Sequence, residues 1–337
     1  MFEYAIDLVC HSDSVTNDVR SPLFGYLLVV RYFYSMLSNR TLLILVTGLT
    51  PSVWGTTYFV TTEYLPPDRP LLAATIRALP AGLLLVALTG RLPSGSWWWR
   101  SVVLGTLNIG AFFALLFIAA YRLPGGTAAT VGAVQPLIVV ALAPTLLGQR
   151  VSLRSGLAGV AGVLGVSLLV LRSGAQLDAL GIVAALGGAA SMATGVVLSK
   201  RWTSPAPVLA TTGWQLVAGG LVLLPITALV EGAPPASFTA ENVLGYAYLT
   251  IIGSALAYTL WFRGIRELPA VGVTFLTLLS PVVATTVGWL VLDESLTPAQ
   301  VIGALIVLGA LIVAQLPPRS HRNAADPSPE SPVRARS

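Results

Sequence analysis

The sequence has few charged residues for its length. Only 10% of its 337 residues are charged and 55% are hydrophobic, whereas an average soluble domain has about 25% charged residues. The mean hydropathy is +0.80. A chain of this size cannot bury so much apolar surface in its own interior. This composition therefore excludes an ordinary soluble domain and predicts a protein whose solvent is the lipid bilayer.

Residues that build metal and phosphate sites are also scarce. The one cysteine, Cys10, excludes an intrachain disulfide, and the two histidines, His11 and His321, lie near opposite ends of the chain. The single lysine, Lys200, lies outside any GxxxxGK[ST] loop. The pI of about 9.6 comes from basic residues in short gaps between apolar runs, which is typical of membrane topology. We therefore expect no metal, no cofactor and no nucleic-acid partner.

Ten apolar runs are candidates for transmembrane helices, each of which needs about 20 residues. The runs cover residues 41–62, 71–90, 101–121, 125–147, 155–171, 179–199, 206–230, 243–262, 270–291 and 299–316. The gaps between them are too short for a soluble domain. If the gaps are assigned to alternate sides, twelve basic residues fall on one side and three on the other. Because loops rich in Lys and Arg stay in the cytoplasm, both termini are predicted to be cytoplasmic.

The chain repeats itself without gaps at an offset of 145 residues. The segment ALLFIAAYRLP at 114–124 aligns with TLWFRGIRELP at 259–269, and Pro136 aligns with Pro281. Each half holds five predicted spans, and an odd number makes the second half enter the membrane from the opposite side. The sequence therefore predicts an all-α membrane protein with ten transmembrane helices in two inverted five-helix repeats. The repeats cover 41–172 and 178–316, an arrangement that secondary transporters use.

Neither end of the chain follows this pattern. Residues 1–40 contain an apolar run that is too short to span a membrane, and Met36 resembles a natural start. We expect a disordered extension or an incorrectly assigned start, the alternative being a genuine amphipathic segment. Residues 317–337 are rich in Pro, Arg and Ser and are expected to form a disordered cytoplasmic tail.

Several motifs occur in a recognisable order. The run PSVWGTTYFV occupies 51–60, LPGG and LPA turns begin spans four and nine, and an acidic turn, Asp293-Glu294, follows span nine. This order resembles the EamA-type members of the drug/metabolite transporter superfamily, although Gln149 stands where their first repeat usually has Glu. Residues 54–70 also resemble a subgroup that includes the indigoidine (blue pigment) exporter. The resemblance implies an exporter of small organic metabolites in the bacterial inner membrane, with the substrate and the lipid bilayer as its partners.

Polar and aromatic residues within the spans are candidates for a substrate site. Arg77 is the only charge well inside a span, which marks a functional site unless the side chain reaches back to the headgroups. Pro136 and Pro281 are expected to break their helices near mid-span at a cavity, the alternative being kinks that serve packing. The other candidates for substrate binding are Trp54, Tyr58, Asn108, Gln135, Trp214, Gln215, Tyr258 and Trp261. Some of these residues would instead join helices or face lipid.

No Asp or Glu lies deep in any predicted span, so the sequence offers no central carboxylate for a proton relay. Glu63, at the end of a span, is the candidate for proton coupling; protonation of the substrate, uncoupled transport and a plain surface role are the alternatives. Gly156, Gly159, Gly162 and Gly165 predict a close helix contact, either with span ten or between two copies in a homodimer.

Other classes of membrane protein fit the sequence less well. An integral membrane enzyme would need a cluster of His, Asp, Glu, Cys or Ser at one membrane face, and the spans offer no His and no acid. A sensor would need a soluble output domain. The remaining alternative within the class is a carrier that works as an importer.

Overall fold

The computed structural model describes residues 40–123, 131–149, 151–170, 178–291 and 296–316, and within these ranges it contains helices and turns but no strand. The expected N-terminal extension up to residue 39, the C-terminal tail, most of the LPGG turn and the Asp293-Glu294 turn lie outside the described residues, whereas Arg40, which was expected in the extension, is the first residue of a helix.

The helices begin and end where prolines and glycines interrupt the apolar runs. Pro70 is the first residue of α2, for example, and Gly90 ends that helix in the left-handed conformation, with φ of 60°. Numbered in chain order, the helices are α1 Arg40–Tyr64, α2 Pro70–Thr89, α3 (Trp97–Gly105, Thr106–Gly110 and Ala111–Arg122), α4 Gln135–Leu147, α5 Leu153–Val170, α6 Ala179–Arg201, α7 Val208–Val230, α8 (Ala240–Thr250, Ile251–Leu256 and Ala257–Glu267), α9 (Ala270–Phe275, Leu276–Leu278 and Leu279–Val291) and α10 Pro298–Gln315.

Eight helices in the described residues are long and apolar enough to cross a membrane: α1, α2, α3 and α6 to α10. The other two, α4 and α5, are apolar but shorter. Helix α4 begins at Gln135 with Pro136 in its first turn, directly after a turn at residues 133–134. The described part of this predicted span is therefore shorter than the apolar run in the sequence. A ten-span count stays a prediction.

Hydrogen bonds between helix ends show that successive long helices run in alternate directions. At one end of the bundle, Arg40 Nη2 donates to the Gln315 carbonyl (3.2 Å) and Lys200 Nζ to the Arg266 carbonyl (2.6 Å). At the opposite end, Asn242 Nδ2 donates to the Tyr64 carbonyl (2.8 Å). We call the first the basic end, because the helices and connections there carry most of the described basic residues: Arg40, Arg91, Arg100, Arg154, Lys200, Arg201, Arg263 and Arg266. The opposite end, called the second end, carries Arg69 and Arg122.

Glycines allow the closest helix contacts. In the seam between α5 and α10, a Cβ atom added to Gly303 would lie 2.6 Å from the Gly165 carbonyl oxygen. The glycines of the predicted α5 stripe do not all contact the same helix. Gly165 meets α10, whereas Gly159 faces Leu137 and Phe275, and a Cβ added to Gly156 would meet no atom of another element within 4 Å among the described residues.

Glu231, which follows α7, caps the first turn of α2. Its two carboxylate oxygens accept the backbone N–H groups of Leu71 (2.5 Å) and Leu72 (2.9 Å). These amides have no partner within their own helix, and the helix dipole favours a negative charge at this position. The carboxylate therefore joins α7 to α2 at the second end.

We expect Glu231→Gln to lower the free energy of unfolding by about 1–2 kcal/mol, because a neutral amide oxygen replaces a charged acceptor at the helix N-terminus. The measurement is thermal unfolding in detergent, followed by circular dichroism. Glu63→Gln is the matched control, since Glu63 is exposed in the last turn of α1. Equal midpoints for the two variants would exclude the capping role.

Candidate functional site

Two π-helical turns lie at corresponding positions of the two halves. The turn in α3 covers Thr106–Gly110 and the turn in α8 covers Ile251–Leu256, so they begin 145 residues apart. A π-turn changes the spacing of backbone hydrogen bonds, and such turns are frequent at functional sites because they leave main-chain groups free for other partners.

The π-turn of α8 receives two side chains from other helices. Its Gly253 carbonyl accepts hydrogen bonds from Trp54 Nε1 in α1 (3.1 Å) and from Arg77 Nη2 in α2 (3.2 Å). Arg77 Nε also donates to Ser254 Oγ (3.2 Å). The guanidinium is thus held in the interior of the bundle by neutral oxygens.

An aromatic ring contacts this arginine, and three further rings pack together beside the same π-turn. The Arg77 guanidinium lies 4.6 Å from the centre of the Phe113 ring. The Trp54 ring lies 4.9 Å from Tyr258 and 5.4 Å from Trp261, measured between ring centroids. These five residues form what we call the aromatic–arginine cluster. It combines a buried cation with flat aromatic surfaces, and these groups suit contact with a planar molecule that carries a hydrogen-bond acceptor.

One further donor in the cluster has no partner. Trp261 is fully buried, and its Nε1–H group has no hydrogen-bond partner among the residues described. Buried polar groups are normally paired, so an unpaired indole N–H inside a cluster of this kind is a candidate contact for a ligand or a water molecule.

The π-turn of α3 forms a second polar group, which we call the amide network. Asn108 Nδ2 donates to Ser199 Oγ in α6 (3.1 Å) and to Gln215 Oε1 in α7 (2.9 Å). Asn108 Oδ1 is buried without a partner in the described part of the chain. A Cβ added to Gly195 would collide with the amide of Asn108, so the glycine makes room for this side chain.

The other predicted site residues lie elsewhere. Gln135 is buried at the start of α4, and its Nε2 has no partner within the described ranges. Trp214 Nε1 donates to the Arg91 carbonyl at the basic end (2.8 Å), and Glu63 is exposed. The side chain of Tyr58 is not among those described.

The two prolines follow irregular segments in both halves. Pro136 is the second residue of α4, which follows the turn at residues 133–134, and Pro281 lies three residues after the 3₁₀ turn of α9, Leu276–Leu278. Neither proline belongs to the aromatic–arginine cluster.

Sequence reasoning missed Phe113, Ser199, Ser254 and both π-turns. Ser254 carried a weak signal, since it is a polar residue within an apolar run. Phe113 carried none, because one phenylalanine in an apolar span resembles any other. In the ranges that the structure describes, no three His, Cys, Asp or Glu side chains come together to hold a metal ion.

Comparisons with known proteins agree with this architecture. The model of the EamA-like transporter family matches residues 41–171 and 179–315. Protein PecM of Dickeya dadantii (strain 3937) is 51% identical over 267 residues, which cover 79% of this chain and 89% of PecM. The WAT1-related protein At3g02690, chloroplastic, of Arabidopsis thaliana is 34% identical over 281 residues, or 78% of this chain and 67% of that protein. The uncharacterized inner membrane transporter YedA of Escherichia coli (strain K12) is 28% identical over 278 residues, or 78% of this chain and 87% of that protein.

A solved crystal structure superimposes with a TM-score of 0.69. The alignment covers 81% of this chain and 97% of that one, at 19% sequence identity. At this identity the likeness concerns the fold alone.

Proposed function

We propose, on the premise that this chain belongs to the EamA-like transporter family, that it exports small organic molecules from the cytoplasm by alternating access. The family match over both halves confirms the resemblance that the motifs indicated. The chain is therefore a multi-pass membrane transporter and not an enzyme. Direction, substrate class and mechanism are the parts that we propose.

The pairing of the helices supports two inverted repeats of five spans. Helix α2 packs against α7, and α5 packs against α10. A two-fold axis that relates the two halves would exchange the two helices within each of these pairs. Helices α3 and α4 pack against α6, as α8 and α9 pack against α1. Each of these contacts joins a helix of one half to a helix of the other half, in equivalent pairs. This pairing is the observation that carries the proposal, because inverted repeats can rock against each other around a central site.

The polar contacts follow the same exchange. Trp54 and Ser199 occupy equivalent positions in the repeat, as do Asn108 and Gly253. Trp54 donates to Gly253 and Asn108 donates to Ser199, so the two hydrogen bonds join equivalent pairs. Each π-turn is thereby held by helices of the other half. We propose that these contacts rearrange when the two halves move and the site changes the side to which it opens.

The proposed substrate site consists of the aromatic–arginine cluster and the amide network, with Tyr58 and Gln135 as further candidates. Stacking surfaces, a cation and amide groups favour small planar or partly apolar molecules with carbonyl or carboxylate groups, such as some amino acids, pigments and drugs. We also propose that Pro136 and Pro281 break their helices beside a cavity that forms between the halves during transport, and that Glu63 is the candidate for proton coupling.

The distribution of charge supports cytoplasmic termini. Eight of the described basic residues belong to the basic end, which also holds the start of α1 and the end of α10, and two belong to the second end. Reporter fusions to the two termini are expected to give cytoplasmic signals for both. Termini on opposite sides would contradict an even number of spans and with it the inverted arrangement.

The test of function is an efflux assay with a panel of amino acids, aromatic metabolites and dyes. Cells that express the protein in a deletion strain are expected to accumulate less of at least one compound than cells that express Arg77→Gln. Purified protein in liposomes should move the same compound. Net uptake in place of efflux would overturn export, and failure to move any compound would overturn the proposed substrate class.

A further inference from the structure

Three indole rings lie close to the guanidinium of Arg100 at the basic end. Its central carbon lies 5.7 Å from the centre of the Trp97 ring and 5.6 Å from the centres of the Trp99 and Trp202 rings. Trp97 and Trp99 belong to the first turn of α3 and Trp202 directly follows α6, so the cluster joins two helices. The Trp99 and Trp202 rings also meet edge to face, with 5.0 Å between their centroids. We call these four residues the indole–arginine cluster.

The polar side-chain groups of this cluster are all hydrogen-bond donors, because a guanidinium and an indole carry N–H groups and no acceptor. Arg100 Nε is buried and has no hydrogen-bond partner among the described residues, and the ion pairs found among them do not include Arg100. The faces of the indole rings attract the cation but offer no lone pair to its N–H groups. The cluster therefore lacks an acceptor that carries negative charge.

The start of α3 adds to the need for an anion. Arg100 lies in the first turn of this helix, where the helix dipole favours negative charge and disfavours a cation. That turn contains no acidic residue, and Ser96 before it forms no side-chain cap. Glu267 is the one acidic residue described at the basic end, and it accepts a hydrogen bond from Arg263 Nε (3.0 Å). A negative partner for Arg100 therefore has to come from outside the described part of the chain.

The cluster lies where the basic end meets the lipid-facing surface of α3. Trp98 is 57% exposed, Trp99 51% and Val102 52%. Trp98 and Val102 are about one helical turn apart and share a face of the helix. Exposed apolar side chains on a helix that is apolar enough to cross a membrane face lipid, and tryptophan is enriched where the hydrocarbon meets the headgroups. The guanidinium is therefore placed at the level of the lipid phosphates.

The corresponding helix of the other half does not repeat the cluster. The repeat places Asn242 opposite Trp97 and Gly245 opposite Arg100. Helix α8, which starts at the second end, therefore begins without a cation or an indole at these two positions. The fold that the two halves share does not require the cluster, so it needs a separate explanation.

We infer that the indole–arginine cluster binds the headgroup of an anionic phospholipid. The phosphate oxygens accept hydrogen bonds from the guanidinium of Arg100, and the acyl chains lie along the exposed face that Trp98 and Val102 form. A bidentate contact of this kind is one that a planar guanidinium makes and an ammonium group does not. The bound lipid fixes the start of α3 and the end of α6 at the membrane surface. The inference requires only that the chain spans a membrane, so it does not depend on what the protein transports.

The test uses the purified full-length protein, freed of native lipid in detergent, and dioleoylphosphatidylglycerol as the probe. Native mass spectrometry measures the affinity for the first lipid bound. We expect Arg100→Gln to weaken this affinity by about tenfold, the loss of one charge-assisted bidentate contact. Arg201→Gln is the matched control, because it removes the same charge from an exposed residue next to Trp202, and it is expected to weaken the affinity by no more than about twofold.

Three further measurements keep the inference testable if Arg100→Gln does not fold. Arg100→Lys keeps the charge without the planar fork and should bind phosphatidylglycerol about threefold more weakly than the wild type. The wild type should prefer phosphatidylglycerol to zwitterionic phosphatidylcholine by about five- to tenfold, and millimolar inorganic phosphate should not displace the lipid. Equal affinities for the two glutamine variants, or no preference for the anionic lipid, would show only a general attraction to the basic end and overturn the site. Displacement by inorganic phosphate would make the ligand a free anion and overturn the lipid assignment.

Discussion

Replacement of Arg77 with glutamine is expected to lower the rate of transport by roughly 100-fold, comparable to the loss of one or two charge-assisted hydrogen bonds. The guanidinium holds Ser254 and the Gly253 carbonyl of the α8 π-turn and lies over the Phe113 ring. Glutamine removes the cation that we propose binds the substrate and also releases the π-turn. The measurement is initial efflux from proteoliposomes that contain equal amounts of folded protein.

Two variants show whether the effect is specific. Arg91→Gln makes the same change just past the end of α2, where Arg91 is exposed, and should leave transport near the wild-type rate. Arg77→Lys keeps the charge but cannot hold two acceptors in the same fixed geometry, so an intermediate rate is expected. If Arg77→Gln transports as fast as Arg91→Gln, the aromatic–arginine cluster is not the substrate site.

Replacement of Gly303 with alanine is expected to destabilise the fold by about 3 kcal/mol, at the upper end of the usual cost of overpacking. The added Cβ would lie 2.6 Å from two backbone atoms of α5, the Gly165 oxygen and the Leu169 nitrogen. Neither atom belongs to a side chain that can rotate away, so α5 and α10 must separate. Small residues at helix contacts in membranes allow the backbone packing that this change would remove.

The matched control for this variant lies in the partner helix. A Cβ added to Gly156 would meet no atom of a neighbouring element within 4 Å in the described part of the chain, so Gly156→Ala should leave the stability unchanged or raise it by up to about 1 kcal/mol. The measurements are the thermal midpoint in detergent and the amount of protein in the membrane fraction. Equal behaviour of the two alanine variants would show that the α5–α10 seam is not a tight backbone contact.

The sequence was sufficient for the general architecture because the signals involved are local. An apolar run predicts a helix in lipid whatever its neighbours are, and basic residues in the gaps indicate how the chain alternates. The offset between ALLFIAAYRLP and TLWFRGIRELP indicated two related halves, and the π-turns of α3 and α8 begin at the same offset. Arg77 was identifiable because a charge within a span is costly wherever it lies.

Contacts between distant helices could not be predicted in this way. Asn108 and Gln215 were both candidates, but only the packing of α3 against α7 shows that they bind each other through the amide of Asn108. Trp214, the neighbour of Gln215, was an equal candidate in the sequence and instead reaches the Arg91 carbonyl. Neighbouring residues on one helix point in different directions, so their partners depend on the rotation of that helix within the bundle.

The amino-acid sequence by itself determined that the chain crosses a membrane as helices and consists of two related halves, because hydrophobicity and repetition act along the chain. Only the tertiary structure decided which side chains meet: Arg77 and Phe113, Trp54 with Tyr258 and Trp261, and Glu231 at the start of α2. The physical reason is that these contacts depend on the crossing and rotation of whole helices and on π-turns that packing stabilises. The spacing of residues within a single apolar run does not predict how helices cross and rotate or where a π-turn forms.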